Sequence, residues 1–224
     1  MVNPLINAAV VKLFDEAREK AKKYDKQLNE LSDDALDDLL RRRPLFGIPF
    51  SCKDSIEIEG QIVTSGSYYR RDHRCTKTGL AVQRLLDAGG ILIAITNVPE
   101  LCAWIESTNT IYGRSRNPYD LRRIVGGSSG GEGALLSAAG TPVGVGSDVG
   151  GSIRIPCFVN GIFGLMPTPG IVPLDGHVPE PLGYKKQMLR NGPMCRYVED
   201  IPLLYQVTKI MHKNSKRERK VNAI

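Results

Sequence analysis

Two glycine-rich runs hold the residues best suited to chemistry. They are Gly126-Gly127-Ser128-Ser129-Gly130-Gly131-Glu132-Gly133 and Val143-Gly144-Val145-Gly146-Ser147-Asp148-Val149-Gly150-Gly151-Ser152. Glycine permits positive φ and lets other groups come close to the backbone. Two such runs flanking one apolar segment gather many backbone N–H groups, the material of an anion or oxyanion pocket. A phosphate loop needs a lysine after its last glycine, and none follows here. A dinucleotide fingerprint fits poorly, because Gly150 comes one place late after Gly144-x-Gly146. Acyl transfer fits better. Ser152 follows Gly150-Gly151 and precedes Ile153-Arg154-Ile155, which sets its hydroxyl at the start of a helical turn with backbone N–H groups before it.

A serine nucleophile needs a base. His73, His177 and His212 stand in no recognisable triad or metal spacing, and each reads as a surface or packing residue. Lysine is the usual substitute, and it serves only when neutral, so its pKa must fall through burial or nearby positive charge. Lys53 follows the mostly apolar Ile48-Pro49-Phe50-Ser51-Cys52, where a charged side chain is costly. The pattern alone leaves three readings open: a base, an edge-strand lysine, or a partner of Asp54. Cys52, Cys75, Cys102, Cys157 and Cys195 are odd in number and contain no Cys-x-x-Cys pair. They read as reduced, mostly buried thiols of a cytosol-like compartment, and no metal or other cofactor is expected.

A fold must position these residues. The 224 residues are 42% hydrophobic and 24% charged, a globular composition, and no apolar run reaches the ~18 residues of a membrane span. The first residues lack the basic and apolar stretches of a secretory signal. Residues 5–40 read as helical, with Ile6, Ala9, Val10, Leu13, Phe14 and Ala17 in a helical period. Ser32 suits the cap of a second helix through Leu40, ended by Arg41-Arg42-Arg43-Pro44. Strands are expected at 50–54 and, covered on both faces, at 91–95; a helix at 79–88 stops at Gly89-Gly90. Further helices are expected at 134–139 and 198–212, the latter with Ile201, Leu204, Tyr205 and Met211 on one face. A helix followed by a buried strand points to an α/β fold, in one domain over residues 1–212. Residues 213–224 carry five Lys/Arg against one Glu, most of the net charge of +6. They read as a solvated, disordered tail, so nucleic acid is not an expected partner.

The glycine-rich segment through Ser152-Ile153-Arg154-x-Pro156, with Gly47-Ile48-Pro49-x-x-x-Lys53-Asp54 ahead of it, resembles the amidase signature family. The separations among Lys53, Ser128 and Ser152 match that family's Ser–Ser–Lys arrangement. Beside Asn3-Pro4-Leu5-Ile6-Asn7 and Asn117-Pro118-Tyr119-Asp120, three further stretches resemble its fatty-acid amide hydrolases, the second vertebrate type above all. These are Ile95-Thr96-Asn97-x-Pro99-Glu100-Leu101-Cys102, Ile111-Tyr112-Gly113-Arg114-Ser115 and Gly192-Pro193-Met194-Cys195-Arg196-Tyr197. The family's domain is considerably longer, so the resemblance implies an N-terminal half, with a mixed central sheet flanked by helices. It implies a hydrolase of carboxylic amides, fatty-acid amides in particular, working through an acyl-enzyme.

In that pattern Ser152 is the nucleophile, Ser128 relays the proton from a cis peptide, and Lys53 is the base. The N–H groups of Val149, Gly150, Gly151 and Ser152 form the oxyanion hole, while Ser129, Asp148 and Arg154 orient the site. Cys102, Ala103 and Trp104 would line an acyl channel or belong to the core, and Trp104 itself reads as core. Met166 stands where the family has Lys, which bears on substrate preference. The implied partners are a small lipid amide and a membrane surface or second copy of the chain, inside the cell. Two alternatives stand beside this reading: the glutaminase subunit of a tRNA amidotransferase, and a truncated, inactive chain with a binding role.

Overall fold

A computed structural model describes residues 2–210. The expected tail, and Met211 and His212 of the helix expected at 198–212, lie outside the described residues, and the helix itself ends sooner, at Thr208, because Lys209 is extended. In chain order the elements are α1 (Asn3–Ile6), β1 (Ala9–Lys12), α2 (Phe14–Asn29), α3 (Asp33–Arg42), β2 (Pro49–Lys53), α4 (Leu80–Asp87), β3 (Ile91–Thr96), β4 (Thr108–Asn109) and β5 (Gly113–Arg114). There follow α5 (Gly130–Ser137), β6 (Val143–Asp148), α6 (Arg154–Asn160), β7 (Phe163–Gly164), α7 (Lys185–Met188), β8 (Arg190–Cys195) and α8 (Asp200–Thr208).

Six strands form one sheet in the order β1-β3-β2-β6-β8-β7. β3, β2 and β6 run parallel, β1 and β8 run against them on either side, and β7 pairs antiparallel with β8. The sheet is therefore mixed, and helices flank it. Among the described residues no helix is long and apolar enough to cross a membrane.

Residues 9–12 depart from the helical expectation. The Asn3 side-chain oxygen accepts the N–H groups of Ala8 and Ala9 at 3.0 and 2.8 Å, which turns the chain out of α1. Ala9-Val10-Val11-Lys12 then pairs with β3. A short apolar run fits either period, and here an open sheet edge decides it.

β2 sits between β3 and β6, so alternate residues meet different faces. Phe50 and Cys52 join the main core with Leu13, Val82, Leu85, Val145 and Leu204. Ser51 and Lys53 face the other way, toward α5. That helix is buried from Gly130 to Leu136 and begins four residues before the expected 134. Its glycines are poor helix formers, but they allow it to lie against the sheet. Gly144 of β6 has no room for a side chain, because a Cβ there would strike the Glu132 carboxyl.

Candidate active site

β2 ends at Lys53, β3 at Thr96 and β6 at Asp148, so three parallel strands end together. In open α/β sheets this carboxyl edge is where ligands bind. Lys53 is completely buried. Its Nζ lies 2.6 Å from Ser128 Oγ, 3.0 Å from Ser147 Oγ and 3.2 Å from Ser147 O. Burial pushes its pKa below the ordinary lysine value, against a partial pull upward from Cys102 and Asp148. Two of the three readings of Lys53 fall here. β2 is an inner strand, and Asp54 turns away to accept from Thr64 N at 2.9 Å and Thr64 Oγ1 at 2.6 Å. Burial lifts the Asp54 carboxyl to about 6, although the Thr64 bonds oppose it.

The loop before α5 carries Ser128 after a cis Gly127–Ser128 peptide. A Cβ on Gly127 would sit 2.6 Å from the Trp104 carbonyl oxygen, so only glycine lets this loop pass. Ser129 N donates to Ser152 O at 3.1 Å and ties the two serine loops together. Ser129 stands at the N-terminus of α5, but its hydroxyl makes no cap. It donates to Ser147 O at 3.3 Å, and Ser107 Oγ accepts the first helical N–H, that of Gly130, at 2.9 Å.

The loop carrying Ser152 is folded around Asp148. Asp148 Oδ1 accepts from Gly151 N at 2.6 Å, and Oδ2 from Ile153 N at 3.0 Å and Arg154 N at 3.3 Å. Arg154 adds Nε and Nη2 bonds, each 3.0 Å. Burial works to raise the Asp148 pKa, but the Arg154 and backbone bonds outweigh it and hold the carboxyl below its usual value. The Gly151 N–H already belongs to Asp148, and the N–H groups of Val149, Gly150 and Ser152 have no acceptor among the described residues.

Ser128, Ser147, Val149 and Ser152 open into a cavity of about 340 Å³, with Cys102 and His177 in its wall. Of the three expected channel residues only Cys102 lines it. Ala103 is exposed, and Trp104 is 64% exposed rather than core.

Sequence reasoning missed two groups beside Lys53. His177 is buried, not on the surface, with Nδ1 2.9 Å from Pro179 O and Nε2 3.0 Å from Ser147 Oγ. Burial lowers its pKa to about 4. Glu132 is buried against the Ser51 and Thr96 hydroxyls, and burial lifts its carboxyl to about 7 despite those bonds. Position in the glycine-rich run could have flagged Glu132; no spacing flags His177. Away from the cavity, Glu57, His73 and Cys75 bring ligand atoms within 4.8 Å of one another. There the Arg70 guanidinium lies 3.7 Å from the Glu57 carboxylate, so that charge is already met.

Known proteins resemble this chain over nearly its whole length. Human (Homo sapiens) fatty-acid amide hydrolase 2 is 48% identical over 206 residues, 92% of this chain and 38% of that protein. One of the subunits of glutamyl-tRNA(Gln) amidotransferase from Methanosarcina acetivorans is 34% identical over 88% of this chain and 38% of its own length. The solved structure of a fatty acid amide hydrolase superposes with a TM-score of 0.81 at 29% identity, covering 92% of this chain and 35% of that one. This chain thus spans well under half the length of the proteins it matches. The sequence pattern of the family described as Amidase runs from residue 1 to 223, across both serine loops and the lysine strand, and the chain belongs to that family.

Proposed function

We propose that this chain carries the Ser–Ser–Lys centre of an amide hydrolase whose substrates are fatty-acid amides. The observation that carries the reading is the 2.6 Å contact between buried Lys53 Nζ and Ser128 Oγ, beside a cavity that Ser152 also lines. Burial favours the neutral amine, which is the form able to accept a proton.

Ser152 Oγ attacks the amide carbon. Its proton passes to Ser128 Oγ as the Ser128 proton passes to Lys53 Nζ. The carbonyl oxygen becomes an oxyanion and meets the N–H groups of Val149, Gly150 and Ser152. One such donor is worth about 2.7–4 kcal/mol. When the C–N bond breaks, the proton on Lys53 returns through Ser128 to the leaving amine. The acyl group stays on Ser152 until water, deprotonated by the same route, releases the acid and restores the serine. Asp148 and Arg154 hold the Ser152 loop, and Ser129 ties it to the Ser128 loop.

The lipid branch is supported by the higher identity to fatty-acid amide hydrolase 2 than to the amidotransferase. Leu101, Leu182 and Leu189 give the cavity an apolar wall that suits an acyl chain. A fluorophosphonate probe with a long alkyl chain tests the proposal, with the adduct located by mass spectrometry. The expected adduct is on Ser152, absent in Ser152→Ala and slowed roughly 10²–10⁴-fold in Lys53→Ala. An oleamide-type substrate should turn over faster than glutamine. An adduct on another residue, or a rate indifferent to Lys53, would overturn the mechanism.

A further inference from the structure

With Lys53 neutral, as its burial favours, the donors and acceptors around it admit one consistent assignment, and its origin lies outside the three residues of the proposed centre. Pro179 O can only accept, so the 2.9 Å contact puts the imidazole proton of His177 on Nδ1. A neutral imidazole has one N–H, which leaves Nε2 as an acceptor. The group facing Nε2 at 3.0 Å is the Ser147 hydroxyl, which must donate its only proton there. Ser147 Oγ then has only lone pairs to offer Lys53 Nζ at 3.0 Å, as does Ser147 O at 3.2 Å. A neutral lysine has two N–H bonds and one lone pair. Both N–H bonds are used by Ser147, and the lone pair is left for Ser128 Oγ at 2.6 Å.

We propose that His177 is a positioning residue: held as the Nδ1–H tautomer by Pro179, it fixes the Ser147 hydroxyl so that neutral Lys53 turns its lone pair to Ser128. This rests on the Ser–Ser–Lys reading above. The polarity is the one that reading needs, with Ser128 donating to Lys53 rather than accepting from it. Without the acceptor at Nε2, the Ser147 proton is free to turn onto the Lys53 lone pair. The amine would then point an N–H at Ser128, and the relay would be blocked. Burial keeps His177 neutral above about 4, so the assignment holds at neutral pH. The acidic groups around this row have other partners: Asp148 is bound to Arg154, Asp54 to Thr64, and Glu132 to Ser51 and Thr96.

Two readouts test this on the 224-residue chain. Long-range ¹H–¹⁵N spectra should show His177 with Nδ1 protonated and Nε2 bare at neutral pH. In the same samples the Lys53 ζ-nitrogen shift should move in His177→Phe. Fluorophosphonate labelling of Ser152 should slow roughly 10²-fold in His177→Phe, the scale of a misplaced reacting group. It should recover most of that loss in His177→Gln, whose carbonyl oxygen can still accept from Ser147. Ser147→Ala combined with His177→Phe should be no slower than the slower single variant. An Nε2–H tautomer, an imidazolium at neutral pH, an unmoved Lys53 signal, or equal slowing in the Phe and Gln variants overturns the positioning role. A wild-type chain that takes no label on Ser152 would sink the hydrolase reading instead. The tautomer and the Lys53 signal would still decide this one.

Discussion

At Asp148 a single carboxylate accepts three loop donors, Gly151, Ile153 and Arg154, and a guanidinium as well. The carboxylate therefore sets the curvature that presents Ser152, and Arg154 keeps it charged. Asp148→Ala leaves the buried Gly151 and Ile153 N–H groups without an acceptor. An unsatisfied buried donor costs about 1–3 kcal/mol, so a loss of about 3 kcal/mol is expected, read as a lower urea midpoint. Asp148→Asn keeps one acceptor oxygen and should fall between. An unchanged midpoint in Asp148→Ala would show that the loop is held by something else. Ser128, Ser152 and Asp148 stand out in the sequence because they sit in an unusual glycine-rich setting, and Lys53 because it follows a mostly apolar stretch and matches the family pattern. The bond from the Gly151 N–H to Asp148 is not legible there, because a sequence shows which donors exist and not which acceptor already holds them. His177 reads as a packing or surface residue for the same reason, since only the fold brings it within 3.0 Å of Ser147.

Among the elements, α5 and β6 show where local propensity gives way to packing. Val143-Gly144-Val145-Gly146-Ser147-Asp148 has little strand propensity, yet it is the sheet's central link between β2 and β8. Gly144 leaves the space that the Glu132 carboxyl fills, which no window of sequence reveals. β1 hides its strand character in the same way, behind apolar spacing that also suits a helix. Glu132 gives this packing a measurable signature. Its folded pKa of about 7 lies above the ordinary 4.5, because burial disfavours the carboxylate. The native state therefore holds a proton that the unfolded chain releases between those values. Its contribution is complete below 4.5 and lost as pH rises through about 7, a difference of about 3 kcal/mol. Glu132→Gln cannot titrate. The stability of wild type relative to this variant should fall by about that amount from acid to mildly alkaline pH. Urea unfolding of both proteins across the range reads it, and a constant gap would mean that Glu132 does not titrate there.

For the whole molecule, the α/β class is legible in one unit, the helix at α4 followed by the buried strand β3. Strand order is not, since β6, β8 and β7 pair through contacts that no local pattern encodes. The cysteines sample this packing at five places. Cys52 on β2, Cys157 on α6, Cys195 on β8 and Cys75 in a loop are all buried. Burial raises the pKa of each, to about 12 for Cys157 and Cys195. A thiol must be both reachable and ionised to react. Cys102 alone is half-buried, and it opens into the cavity that holds Ser152. An excess of an aromatic disulfide reagent should therefore titrate one thiol quickly in the native chain and the other four only on unfolding. Cys102→Ala should remove the fast phase, and an alkyl fluorophosphonate on Ser152 should slow it by covering the same cavity. A second fast thiol would locate a part of the sheet or its flanking helices that opens on its own. A fast phase that survives Cys102→Ala would mean that the cavity is not the accessible face of the molecule.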